Sequence, residues 1–185
     1  MEPRGLVQEI YTQQTDFETA LLREKLAHAS IKEVITYLKE THQLYRTHFV
    51  PRTEQLFTHL IESNPEQPSV FILFNLFQKF SVSLNVHMKL EEQHIFSKCE
   101  SYFEDGNYSS FNAFDTHQEE EPYLTEIISF LAAVSCKNAL VKRQLISLLT
   151  AFNQNLKEHA WIEETILTQK IQAKITAKIE QSVER

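Results

Sequence analysis

Histidine and glutamate stand four apart twice in this chain, as His87-x-x-x-Glu91 and as His159-x-x-x-Glu163. Each pair is preceded by a further histidine, His42 and His117, lying 45 and 42 residues upstream. A helix advances ~1.5 Å and ~100° per residue, so two residues four apart stand about 6 Å apart on one face and aim their donors the same way. Imidazole nitrogens and carboxylate oxygens gathered in this manner bind a metal ion, and the order His, His-x-x-x-Glu, given twice, reads as two half-sites.

These residues need helices to carry them. With two glycines and five prolines in 185 residues, the turn chemistry of an all-β fold is scarce and a few long helices are expected. Ser30 followed by Glu33 is a capping box, opening a helix that should run to about Glu62 with a kink at Pro51. Asn64-Pro65-Glu66-Gln67-Pro68 is a loop, and Ser69 to about Cys99 is the second long helix. Glu104-Asp105-Gly106-Asn107 is a turn before a third helix, about Ser109 to Ala133, bent or restarted near Pro122. A fourth starts near Asn138 and passes Leu167 into a tail where Ile171, Ile175, Ile179 and Val183 recur every four residues. Short connections make neighbours antiparallel, so the expected fold is all-α: an up-down four-helix bundle over 30–170, an N-terminal extension over 1–29 and an amphipathic helical tail over 171–185. The extension should hold a short helix, Asp16 to His28, with Phe17, Leu21, Leu22 and Leu26 as its apolar side.

On these helices the histidines interrupt core stripes. The second reads Leu73, Phe77, Phe80, Leu84, His87, Glu91, Ile95, and the fourth Leu145, Leu149, Phe152, Leu156, His159, Glu163, Ile166. The third reads Phe114, His117, Glu121, Leu124, Ile128, Leu131, and the first carries Ile35, Leu38, His42, Tyr45 and Phe49. One inward histidine is usually a satisfied core residue, but four of them with carboxylates favour metal. An ionised carboxylate moved into a core without a partner costs several kcal/mol, a large share of the ~5–15 kcal/mol that holds a domain together. Glu121 is either a third carboxylate ligand or an acceptor for an imidazole N–H, and Tyr45 offers a hydroxyl close by. Glu92 and Glu164, about 100° round the helix from the proposed ligands, read as solvated, His28 as a surface residue at a helix end, His48 and His59 as either exposed or supporting a ligand, and His94 as exposed although within reach of the bundle mouth.

Cys99 and Cys136 have no paired spacing, which disfavours a disulfide framework and thiolate metal sites. Imidazole mixed with carboxylate suits a dinuclear iron site, oxo- or hydroxo-bridged, while manganese or zinc also fit such ligands. Lysine plus arginine number 18 against 25 acidic residues, which argues against a nucleic-acid partner. The longest apolar run, Ile127 to Val134, is too short to span a bilayer and the first residues form no apolar signal, so neither a membrane nor a secretory route is expected and the location is cytoplasmic.

The stretch His87-Met88-Lys89-Leu90-Glu91-Glu92-Gln93-His94-Ile95-Phe96, with Thr41-His42-Gln43-Leu44-Tyr45, Val50-Pro51 and Asn155-Leu156-Lys157-Glu158-His159, resembles the hemerythrin-like cation-binding domains. It looks most like the di-iron domain of the iron–sulfur cluster repair proteins, over about residues 31–170. The resemblance implies two non-heme irons on His42, His87, Glu91, His117, His159 and Glu163. It also implies oxygen and nitric oxide as small-molecule partners, and iron–sulfur proteins as macromolecular ones. Two roles are open: cluster repair or iron donation under nitric oxide or oxidative stress, and reversible oxygen or nitric oxide binding without turnover; whether the chain is an enzyme stays open with them. Family members often carry adjacent histidines where this chain has His42-Gln43. Aligned in that way Gln43 takes the ligand position, whereas the core stripe points His42 inward. The family's closely spaced amino-terminal cysteines have no counterpart in these residues.

Overall fold

The computed structural model describes residues 16–99 and 121–183, and every element in them is helical. Helix α1 spans Asp16–His28 and α2 spans Ile31–Leu44; α2 passes through a wide turn, Tyr45–Phe49, into α3, Val50–Ser63. Helix α4, Pro68–Leu90, continues through a second wide turn, Glu91–Phe96, to Cys99. After α5, Glu121–Ala133, helix α6, Ala139–Trp161, enters a third, Ile162–Leu167, and continues as α7, Thr168–Val183. Helix α3 packs on α4 and α6, and α5 packs on the same two; α1 and α2 pack on the third wide turn.

Local chemistry explains the ends. Ser30 accepts from the Glu33 amide while the Glu33 carboxylate accepts from the Ser30 amide, which closes the capping box at the start of α2. Asn138 caps α6 by accepting from the Val141 amide at 3.2 Å. Asn64, buried at the end of α3, donates to the Leu60 carbonyl and accepts from the Lys137 amide, tying two connections together. Pro51 does not interrupt its helix: the Val50 amide bonds to the Tyr45 carbonyl, five residues back, so a widened turn takes up the residue that has no N–H to give.

Two apolar clusters fill the interior. One is aromatic, with Tyr45, Phe49, Phe57, Phe77, Phe80 and Phe152 at its centre. The other is mostly aliphatic, built on Val34, Ile35, Leu38, Ile162, Ile166 and Leu167 with Phe96. Three helical runs cross from one cluster to the other, and each carries buried polar residues at the crossing: Thr41 and His42, then Glu91, then Glu158, His159 and Glu163; Thr53, also buried, lies further along the first run. The wide turns begin at these same places. Helix Pro68–Cys99 is long and apolar enough to cross a membrane by length and composition, and 28% of that apolar window is buried inside the protein. Its buried side, Leu73, Phe77, Phe80, Leu84 and Met88, belongs to the aromatic core, and Glu91 lies on the same side.

The apolar side expected for α1 is only half right. Leu26 is buried and Leu22 packs at the edge of the aliphatic cluster, whereas Phe17 and Leu21 are exposed. What holds α1 down besides is polar: Arg23 donates to both carboxylate oxygens of buried Glu158, at 2.8 and 2.5 Å, and its guanidinium lies 3.9 Å above the Trp161 ring. The helical tail begins as expected, with Ile171 buried and Ile175 packed against the aliphatic cluster.

Candidate metal centre

His42 comes from α2, Glu91 from the wide turn after α4 and His159 from the last turn of α6. All three are buried, and one donor atom from each lies within 4.8 Å of the other two. The Nε2 atoms of His42 and His159 are 3.1 Å apart, and His42 Nε2 is 3.1 Å from a Glu91 oxygen. The other Glu91 oxygen meets His87 Nε2 at 2.6 Å. Glu163, fully buried, has its nearer oxygen 3.8 Å from His159 Nε2. Five of the six ligands expected from the sequence are therefore brought to one layer. His117 lies outside the described residues, as does the side chain of Glu121, although Glu121 begins α5.

The choice between His42 and Gln43 is decided by burial: His42 is fully enclosed and Gln43 is exposed. His42 stacks on Phe96 of the aliphatic cluster, while His159 meets the edge of Tyr45 from the aromatic one, so the polar layer is sealed on both sides. His87 is the least enclosed of the set, at 29% exposure. Beside it a small cavity of about 40 Å³ is walled by Tyr45, Leu84, Met88 and Leu156 and bordered by His42 and His159. A volume of this size holds two or three waters, or one diatomic molecule.

The electrostatics favour ionised carboxylates. Burial pushes the Glu91 carboxyl toward protonation, but hydrogen bonds with His42 and His87 and the imidazoles around it outweigh that and hold its pKa well below the usual carboxylate range. Burial pushes the Tyr45 hydroxyl well above its ordinary pKa, so it keeps its proton and donates it to the Asn155 carbonyl at 3.0 Å. Tyr45 thus walls the cavity with its ring, while its hydroxyl meets both the backbone of α6 and the side chain of Thr41.

Compared with models of protein families, with curated proteins and with solved structures, the chain matches none. Its chemistry is therefore read from its own donors. Glu91 and Glu163 are two buried carboxylates, and the imidazole nitrogens of His42 and His159 converge with Glu91; a bound cation compensates such a set, so the residues present fit a metal ion.

Two residues at the site do not follow from the helical spacing. Thr41 is buried with its hydroxyl 2.7 Å from His159 Nδ1. Glu92, expected in solvent, is only partly exposed: its carboxylate lies 2.8 Å from His42 Nδ1 and takes a hydrogen bond from Arg46 at 2.8 Å. Burial opposes ionisation of Glu92, but the bonds from Arg46 and His42 prevail and lower its pKa. The wide turn at Glu91 is the reason, since it changes the angular step that an unbroken α-helix would impose. Glu164, His28, His59 and His94 are exposed as expected, and His48 is half-buried with its ring against the edge of Phe49.

Proposed function

We propose that this chain is a hemerythrin-like protein: an up-down antiparallel four-helix bundle whose core holds non-heme iron, two ions when fully loaded. The observation that carries the reading is the buried convergence of His42, Glu91 and His159, three donors within 4.8 Å of one another on three helical segments. Charge argues in the same direction. A proton among these groups offsets one buried carboxylate, whereas a divalent ion offsets both Glu91 and Glu163. His42, Glu91 and His159 would hold one ion, with His87 and Glu163 beside it and His117 as the sixth ligand that the duplicated pattern supplies. Bound iron would supply a redox-active Lewis acid open to a small ligand. Tyr45, Leu84 and Met88 line the small cavity beside it, from which a small ligand would approach.

In this reading the protein works in the cytoplasm under nitric oxide or oxidative stress, donating iron for iron–sulfur cluster repair. The donor set supports donation: no thiolate would anchor the metal, and Cys99, the buried cysteine, lies in the aliphatic cluster. The small cavity beside His87 favours a second reading, reversible binding of oxygen or nitric oxide without turnover.

Protein from iron-replete cells should contain about two irons per chain and show the optical spectrum of a non-heme iron pair. Metal content near zero after anaerobic reconstitution would exclude both readings. Iron released to a ferrous chelator on reduction or nitric oxide treatment, with recovery of a nitric-oxide-damaged cluster enzyme, supports donation. Iron that stays bound while the spectrum changes reversibly on adding gas supports the carrier.

A further inference from the structure

Each imidazole at the centre of the site has two nitrogens, and a neutral ring offers only one of them, the one without hydrogen, to a metal. Which nitrogen that is depends on what holds the other. His159 Nδ1 lies 2.7 Å from the Thr41 hydroxyl, and the same hydroxyl lies 2.7 Å from the Leu38 carbonyl. A carbonyl only accepts, and two oxygens at that distance require a hydrogen between them, so the single hydroxyl proton is committed to Leu38. Toward His159 the Thr41 oxygen is then an acceptor. Nδ1 of His159 must carry the hydrogen, and Nε2, the atom 3.1 Å from His42 Nε2, keeps the lone pair.

His42 is held differently, with an acceptor at each nitrogen: its Nε2 lies 3.1 Å from a Glu91 oxygen. Its Nδ1 faces a Glu92 oxygen at 2.8 Å, an acceptor that Arg46 holds from the other side. One ring lies between two carboxylates, the other is held by the hydroxyl of Thr41, a residue only 8% exposed.

We infer that Thr41 is a positioning residue: it locks His159 in the Nδ1–H tautomer and so presents Nε2 toward His42 and Glu91 before any ion arrives. The consequence for metal affinity rests on the function proposed above; the tautomer itself does not. Partners of this kind typically change metal affinity roughly 10- to 100-fold when removed. Thr41→Val keeps the shape and deletes the acceptor, while Thr41→Ser keeps both the hydroxyl and its bond to Leu38.

The experiment uses the full chain, stripped of metal, at about pH 8.5, above the ordinary imidazole range of about 6.5. Long-range proton–nitrogen NMR should show His159 with hydrogen on Nδ1 in the wild type and in Thr41→Ser, and with hydrogen moved to Nε2 in Thr41→Val. Titration with Co(II), or anaerobically with Fe(II), should then show roughly 10- to 100-fold weaker binding by Thr41→Val and near wild-type binding by Thr41→Ser. A wild-type His159 bearing its hydrogen on Nε2 overturns the inference without any variant. So does a folded Thr41→Val with the wild-type tautomer, since a merely structural threonine would alter the melting temperature and leave the ring's hydrogen in place. If the tautomer responds as stated but no form of the protein takes up metal, Thr41 keeps its role and the iron reading fails.

Discussion

The two His-x-x-x-Glu segments have the same spacing and both run into a wide turn, yet they are built differently. Glu91 touches its own His87 at 2.6 Å and reaches across to His42 at 3.1 Å, while Glu163 stands 3.8 Å from its own His159. His87 is 29% exposed at the edge of the cavity; His159 is 6% exposed and its ring is drawn toward α2, where Thr41 and His42 meet it. Spacing along one helix decides which way a side chain leaves the backbone. What that side chain touches is decided by the helix opposite, and for these two segments the opposing helices differ.

The strongest test of this inequality is removal of each carboxylate. Glu91→Ala should all but abolish iron binding, a loss exceeding the roughly 100-fold that an outer partner costs, because it strips a contact from two imidazoles at once. Glu163→Ala should cost less in iron bound per chain. Equal losses would show that the halves work as equivalents and that the 3.8 Å separation closes on loading.

A smaller effect is expected in stability. At metal 100-fold above its dissociation constant, binding stabilises by about 2.7 kcal/mol, which for a chain of this size raises the melting temperature by about 5–11 °C. Thermal scans with iron and with chelator should differ by that amount in the wild type. His159→Ala should erase the difference, and His87→Ala should leave part of it. Identical melting curves with and without bound iron would count against a metal that supports the fold.

Next in size is the contrast within α2. His42→Ala should reduce iron content, whereas Gln43→Ala, at an exposed position, should leave it unchanged; metal lost only with the glutamine change would put the ligand one residue later. The least effect belongs to Arg23→Ala. It leaves Glu158 buried without its guanidinium partner, and since Arg23 is itself 38% exposed a cost of about 1 kcal/mol, or roughly 2–4 °C in melting temperature, is expected with iron content unaltered. A fall in iron content would tie α1 to the site.

Much of this architecture is legible in the chain. The capping box at Ser30, the Asn64–Pro68 break and the Asn138 cap each depend on residues within four positions of one another, and the structure places helix ends there. The inward stripe through His42 is legible for the same reason, because helical periodicity is local. Glu92 and Thr41 were not. A widened turn moves Glu92 off the angle that an α-helix predicts, and Thr41 acquires its role only because His159, 118 residues later, packs against it. The exposure of Phe17 and Leu21 is a long-range fact too: α1 is held through Leu26 and the Arg23–Glu158 pair, and only part of its apolar side meets the core.

Trp161 is the chain's single tryptophan, and it sits two residues from both His159 and Glu163 with the Arg23 guanidinium over its ring. That placement is a built-in fluorometer: emission excited near the red edge of protein absorption comes from one indole beside the two residues that the second half-site contributes. Iron entering there should quench it and release should restore it, so that loading, loss under reductant and the damage done by each variant can be followed in real time on unlabelled protein. Emission indifferent to iron that is shown by analysis to be bound would place the ion away from this end of α6.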